Sequence, residues 1–199
     1  MDPEQTALVL IGFQNDYFAT DGVLCNVIEK RAQLIANTVE LVEELSKLPI
    51  LIVATPVLFT PDYGELVEPV GILKTIKEVG AFKAGTKGAE TIAELRRFGD
   101  RIVEVPGKRG LNAFSNTDLD QLFKARAITN VVLAGVATSI CIDSTGRSAY
   151  ERDYKVFILS DCTAGRTSFE QEFYCEKIFP LYAQVIDYAE LVNRLSIAR

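Results

Sequence analysis

NVVLAGVATSICIDSTGRSAYERDYKVFILSD, Asn130–Asp161, reads as strand, helix, strand. Residues 130–134 are an apolar run of strand type, and Gly135 lets the chain turn off it. Residues 139–152 then carry a helical pattern, with Thr138 or Ser139 placed to cap it. Residues 155–160 are apolar again. Two strands joined through a helix lie parallel in one sheet. The same alternation extends outward in both directions. Upstream, strands are expected at 7–13, 50–54 and 101–105, with helices at 29–47, 89–98 and 117–126, the last capped by Thr117. Downstream, helices at 168–178 and 188–195 flank a short strand at 183–186. The expected fold is therefore α/β: a doubly wound, mostly parallel six-stranded sheet with helices on both faces. It spans residues 1–199 as a single domain. Residues 55–88 are irregular, with a short helix near 73–79, and are too apolar for a disordered linker. They are expected to form a lid or an oligomer contact.

Composition narrows the function. The net charge is −6 and long basic stretches are absent, which argues against nucleic acid. No apolar run approaches the roughly 20 residues needed to span a membrane. The opening Met1-Asp2-Pro3-Glu4-Gln5 is polar and acidic, unlike a signal peptide, so a cytoplasmic location is expected. The four cysteines, Cys25, Cys141, Cys162 and Cys175, fit neither a zinc motif nor a small disulfide scaffold and read as free thiols. There is no histidine. A Ser-His-Asp or Cys-His arrangement is excluded, as is a histidine metal site. Acid–base work falls to Asp, Glu, Lys, Tyr or Cys.

Ligands of such sheets bind beyond the carboxyl ends of the strands. Cys141 stands there, in the first turn of a helix, where unpaired N–H groups and the helix dipole favour a thiolate. The same N–H groups can hold a developing oxyanion. The alternative is a small buried apolar residue. Lys108 stands on a Pro-Gly turn at the same rim; it either supports a thiolate or is a solvated loop side chain. The aromatic residues near these turns, Phe13, Phe18, Phe59, Tyr63 and Phe114, are candidates for substrate-binding walls as well as core filler. Arg109 and Arg166 either meet a substrate carboxylate or form surface ion pairs. Asp161 is expected to order its loop.

Three segments resemble the isochorismatase-like cysteine hydrolase superfamily: GFQND (Gly12–Asp16), KRGLNAF (Lys108–Phe114) and GVATSIC (Gly135–Cys141). They occur in the family's order, and the resemblance covers nearly the whole chain. It implies a Rossmann-like three-layer sandwich, no cofactor, a small-molecule substrate and a homo-oligomer, dimer or tetramer. It also implies an Asp-Lys-Cys triad that cleaves the C–N bond of a small amide, ureido or N-carbamoyl compound. Carried over, Cys141 is the nucleophile and Lys108 the lysine. The N–H groups of Ala137 and Cys141 form the oxyanion hole, with a cis peptide between Val136 and Ala137. The family's aspartate falls on Gly12. A missing acid/base typically lowers a rate by about 10²–10⁴-fold, so impaired activity is expected, and Gly12→Asp is expected to raise it; Gly12 is an engineered substitution, a natural variant using another carboxylate or a substrate-borne proton, or the mark of a non-catalytic relative. Asp16 is expected to serve the turn rather than to replace that aspartate. Nicotinamidases of this superfamily generally use an Asp/His metal site, which cannot be assembled here. Isochorismate-type vinyl-ether hydrolysis and a non-catalytic ligand-binding relative remain as alternatives.

Overall fold

Strand β1, Thr6–Ile11, is buried at every residue because both of its faces are covered. The same holds for β2, Leu51–Thr55, and for β4, Asn130–Val136. The short strands β3, Val103–Glu104, and β6, Gln184–Ile186, close the two edges, and β5, Lys155–Ala164, lies between β4 and β6. All pairings are parallel, in the order β3-β2-β1-β4-β5-β6. The computed structural model describes residues 1–197.

Alternate residues of each strand feed two separate cores. Leu8, Leu10, Ile52, Val132 and Phe157 meet Leu34, Leu41 and Leu45 on one face, together with Leu191 and Leu195. Ala7, Val9, Ile11, Val53 and Leu133 meet Leu119, Phe123, Ala149 and Phe179 on the other. The helices, in chain order, are α1, Asn15–Phe18; α2, Arg31–Leu45; α3, Gly71–Val79; α4, Ala93–Arg96; α5, Leu119–Ala125; α6, Asp143–Tyr150; α7, Ser168–Phe173; and α8, Tyr188–Ser196. Among the described residues, no helix is long and apolar enough to cross a membrane.

Three elements depart from expectation. The helix expected at 89–98 shrinks to the single turn α4. Thr91 instead bridges Gln14, and the Ile92 N–H donates to the Phe13 carbonyl at 3.0 Å, which holds the preceding chain extended. Strand β5 continues past Ser160 to Ala164. Its register against β4 shifts between Leu133 and Gly135, so residues 159–162 bulge before pairing resumes at Thr163. Helix α5 starts two residues later than expected, with Asp118 at the cap position; Thr117 still accepts from the Leu119 N–H at 3.4 Å while its hydroxyl donates to the Ala113 carbonyl at 2.6 Å.

Successive strands β1, β2 and β3 run outward on one side, and β4 returns to the far side of β1. The switch point of the sheet therefore lies between β1 and β4, where ligand crevices open in this architecture. Register places Ile11 opposite Gly135, so residue 12 faces Val136 across that switch.

Candidate active site

The first functional turn follows β1 directly. Gln14 is 1% exposed and saturates its amide across the chain. Its Nε2 donates to the carbonyls of Val57 and Ala89 at 2.8 and 2.7 Å, and its Oε1 accepts from the Val57 N–H at 2.9 Å. Asp16 accepts from the Phe82 N–H at 2.7 Å. A Cβ on Gly88 would lie 2.1 Å from the same carboxylate, so only glycine lets the loop approach this closely. Gln14 and Asp16 thus pin both ends of the 55–88 segment to the end of β1. Asp16 is spent on this bond, the structural part expected of it. The anchoring by Gln14 is not legible from sequence, because its partners lie 43 and 75 residues away.

Gly12 adopts φ +72°, the left-handed region that side chains resist. A Cβ there would stand 2.9 Å from the Val136 carbonyl oxygen and 3.0 Å from its Cγ2. The backbone itself therefore calls for glycine at this position. Gly12→Asp is expected to lose about 1–3 kcal/mol through the strained φ and the contact with Val136. Thermal melts should show this as a drop of several degrees, since 1 kcal/mol moves Tm by roughly 2–4 °C at this size. An unchanged Tm would mean that residue 12 leaves the left-handed region freely.

After β4 the Val136–Ala137 peptide is cis. The chain then enters a wide π-type turn, Thr138–Ile142, which runs into α6. Cys141 sits in that turn at 6% exposure. Thr138 and Ser139 do not cap it. Their hydroxyls reach across to α7 instead, donating to Gln171 Oε1 and, at 2.6 Å, to Glu170 Oε1. Burial opposes ionisation of Glu170, but the hydrogen bonds from Ser139 and Arg166 outweigh it and hold the carboxyl below its ordinary range.

Lys108 is not a solvated loop residue: it is 0% exposed. Its Nζ donates to the Gly110 carbonyl and lies 3.6 Å from Cys141 Sγ. The structure thus brings Lys108 and Cys141 together below the switch point, with Gly12 beside the cis peptide that precedes Cys141.

The aromatic candidates spread over both cores. Phe13 and Phe18 stack at 5.4 Å, and Phe59 packs on Tyr63 at 5.5 Å, all in the α2 and α8 core. Phe13 also lines a cleft of about 10 Å³ with Gly12 and Thr55. Phe114 lies on the opposite face of the sheet, against Phe123 and Tyr154, with the Arg152 guanidinium over its ring. Arg109 and Arg166 both take the surface-pair option, with Glu65 at 3.7 Å and Glu170 at 2.9 Å. Asp161 accepts from the Tyr188 N–H at 3.0 Å and so ties the β5 bulge to the start of α8. Burial holds its carboxyl above the ordinary range.

Comparison with known proteins agrees with this architecture. The family model for the isochorismatase domain matches residues 6–190. An uncharacterized isochorismatase family protein, YwoC, of Bacillus subtilis (strain 168) is 30% identical over 90% of this chain and 88% of its own length. The ureidoacrylate amidohydrolase RutB of Enterobacter sp. (strain 638) is 28% identical over 99% of this chain and 93% of its own. Among solved structures, a cysteine hydrolase from Pseudomonas syringae pv. phaseolicola 1448A superposes with a TM-score of 0.87. It is 21% identical and covers 100% of this chain and 96% of that one. With the family model matched over residues 6–190 and the fold in agreement, the chain belongs to the isochorismatase family of hydrolases.

Proposed function

We propose that the protein hydrolyses a C–N bond of a small amide, ureido or N-carbamoyl compound, with Cys141 as nucleophile and Lys108 as its proton partner. The observation that carries this reading is the 3.6 Å approach of Lys108 Nζ to Cys141 Sγ, both side chains being withdrawn from water. A buried ammonium is unfavourable unless it is paired. Among the described residues Lys108 bonds one carbonyl and this sulfur, so a thiolate is the anion that would neutralise it. The ureidoacrylate amidohydrolases among the relatives favour a ureido substrate.

In the reaction, the Cys141 sulfur attacks the carbonyl carbon. The C=O pair moves to oxygen, facing the N–H groups of Ala137 and Cys141. When the carbonyl re-forms, the C–N bond breaks and the leaving nitrogen takes its proton from Lys108. Water then displaces the acyl group from sulfur and returns its proton to Lys108. With Gly12 in place of a carboxylate, Lys108 serves both steps alone, which is why we expect a reduced rate. Residues 55–88 act as the lid, held at Gln14 and Asp16. A cytoplasmic homo-oligomer is part of the same reading; Phe169 and Leu181, 76% and 73% exposed, offer apolar surface to a second copy.

The test is ammonia release from primary amides, ureido acids and N-carbamoyl amino acids, with Cys141→Ala as the control. Release from at least one class, absent in the control, is the expected result. No release, together with iodoacetamide alkylation of Cys141 no faster than of Cys25, would instead support a non-catalytic ligand-binding protein.

A further inference from the structure

The turn that carries Cys141 is held from two sides. Its own backbone closes one of them: the N–H groups of Ile140 and Ile142 both donate to the Ala137 carbonyl, at 3.0 and 3.2 Å. The other side is held by two neighbouring residues of α7. Glu170 accepts from the Ser139 hydroxyl at 2.6 Å, and Gln171 Oε1 accepts from the Thr138 hydroxyl. The two holds differ in quality. Glu170 is shared with the exposed Arg166, so that pair faces solvent. Thr138 is fully buried, where a hydroxyl must be satisfied by protein. Behind it, Gln171 Nε2 donates to the Ser160 carbonyl and to the Thr163 hydroxyl, both at 3.0 Å, and reaches Cys175 Sγ at 3.3 Å. The Thr163 hydroxyl donates in turn to the Leu159 carbonyl at 2.7 Å. One carboxamide thus ties the Cys141 turn to the bulge of β5. A glutamate could not do the same, because it would set an acceptor against the Ser160 carbonyl.

We propose that Gln171 is a positioning residue for the oxyanion hole, acting through Thr138. Thr138 stands between Ala137 and Cys141, the two residues whose N–H groups face the developing oxyanion in the reaction above. A Thr138 released from α7 would let those two groups lose their common aim. The sulfur would keep its neighbour Lys108, so its ionisation would be untouched. Geometry and thiolate reactivity are therefore separable at this turn. Preorganised donors lower a barrier where negative charge develops on oxygen. Displacement at a saturated carbon puts no charge there. The inference rests on Cys141 being the nucleophile and on that oxyanion hole, but its test needs no knowledge of the natural substrate.

Two reagents read the two properties on one sulfur. With p-nitrophenyl acetate, the sulfur attacks the acetyl carbon, the C=O pair moves to oxygen, and p-nitrophenolate leaves as the carbonyl re-forms. With iodoacetamide, the sulfur displaces iodide and no oxyanion forms. Both rates are measured in the full chain, in Thr138→Val, Thr138→Ser and Gln171→Met, and in the Thr138→Val/Gln171→Met double variant, with the Cys141→Ala background subtracted. Acylation is expected to fall about tenfold in Thr138→Val and in Gln171→Met, less than the roughly 10²–10³-fold of an oxyanion donor lost outright. Alkylation is expected to stay within about twofold, since the thiolate keeps its surroundings. Thr138→Ser keeps the hydroxyl and is expected to acylate like the unmodified sequence. The double variant is expected to be no slower than the slower single one, because both remove the same bond. Gln171 is half-buried, so Gln171→Met carries the comparison if Thr138→Val fails to fold. Unchanged acylation, additive losses, or acylation and alkylation falling in step would overturn the proposal. Any of these with a reactive Cys141 in the unmodified sequence leaves the nucleophile assignment standing. A Cys141 slow toward both reagents in the unmodified sequence overturns both.

Discussion

Cys141→Ala is expected to lower hydrolysis by about 10³-fold or more, the scale seen when a covalent nucleophile is removed. Two of the three other thiols are poorly suited to take over. There is no histidine to activate a serine or threonine. Of the other thiols, burial, with Asp161 beside it, holds Cys162 far above the ordinary cysteine range. Burial, followed by Glu176, pushes Cys175 up to about 11. Both therefore remain protonated and poorly nucleophilic at neutral pH. Stability should change by only about 1 kcal/mol, because a small buried sulfur is lost with little cavity. Initial rates and thermal melts on the same preparations separate the two effects. A variant that keeps more than a tenth of the activity would remove Cys141 from the chemistry.

Lys108→Met is the second large expected effect. Methionine is unbranched and fills much of the lysine volume, so packing around a fully buried position is kept. The charge and the mobile proton are lost. Hydrolysis is expected to fall by about 10²–10⁴-fold, the usual contribution of a positioned acid/base. Stability is expected to hold or rise, since replacing a buried ion by an apolar side chain of similar volume is often neutral or stabilising. Alkylation of Cys141 should slow in parallel, because a thiolate would lose its neighbouring cation. A fall in activity that leaves Cys141 reactivity untouched would place Lys108 in substrate binding instead. Equal activity in both proteins would remove it from the site.

The strands were legible because a sheet buried on both faces demands continuous apolar runs, and residues 7–11, 51–54 and 130–134 supply them. The pairing of Lys108 with Cys141 was legible only through three motifs at the ends of three strands, since nothing local to KRGLNAF distinguishes a buried lysine from a solvated one. What stayed hidden depended on distant partners. Residues 89–98 carry a helical pattern, but bonds from Gln14 and Phe13 to the 89–92 stretch draw it out straight. Thr138 and Ser139 have the chemistry of helix caps, but Gln171 and Glu170 sit close enough to accept their hydrogen bonds. Which core each rim aromatic joins was hidden as well: Phe114 shares the cluster of Cys141, whereas Phe13, Phe18 and Phe59 fall in the other. For residues 89–98 and for Thr138 and Ser139 the local preference was real, and contacts at least 31 residues away in the chain outweighed it.

The left-handed backbone at Gly12 also bears on how this sequence can change. With Val136 pressed close and the Tyr17 ring in contact beside it, a side chain at this position is crowded on one side. An aspartate there would need its neighbours to shift as well before the carboxylate could sit unstrained. The glycine therefore works as a ratchet: a side chain gained at this position is tolerated only if Tyr17 and Val136 give way with it.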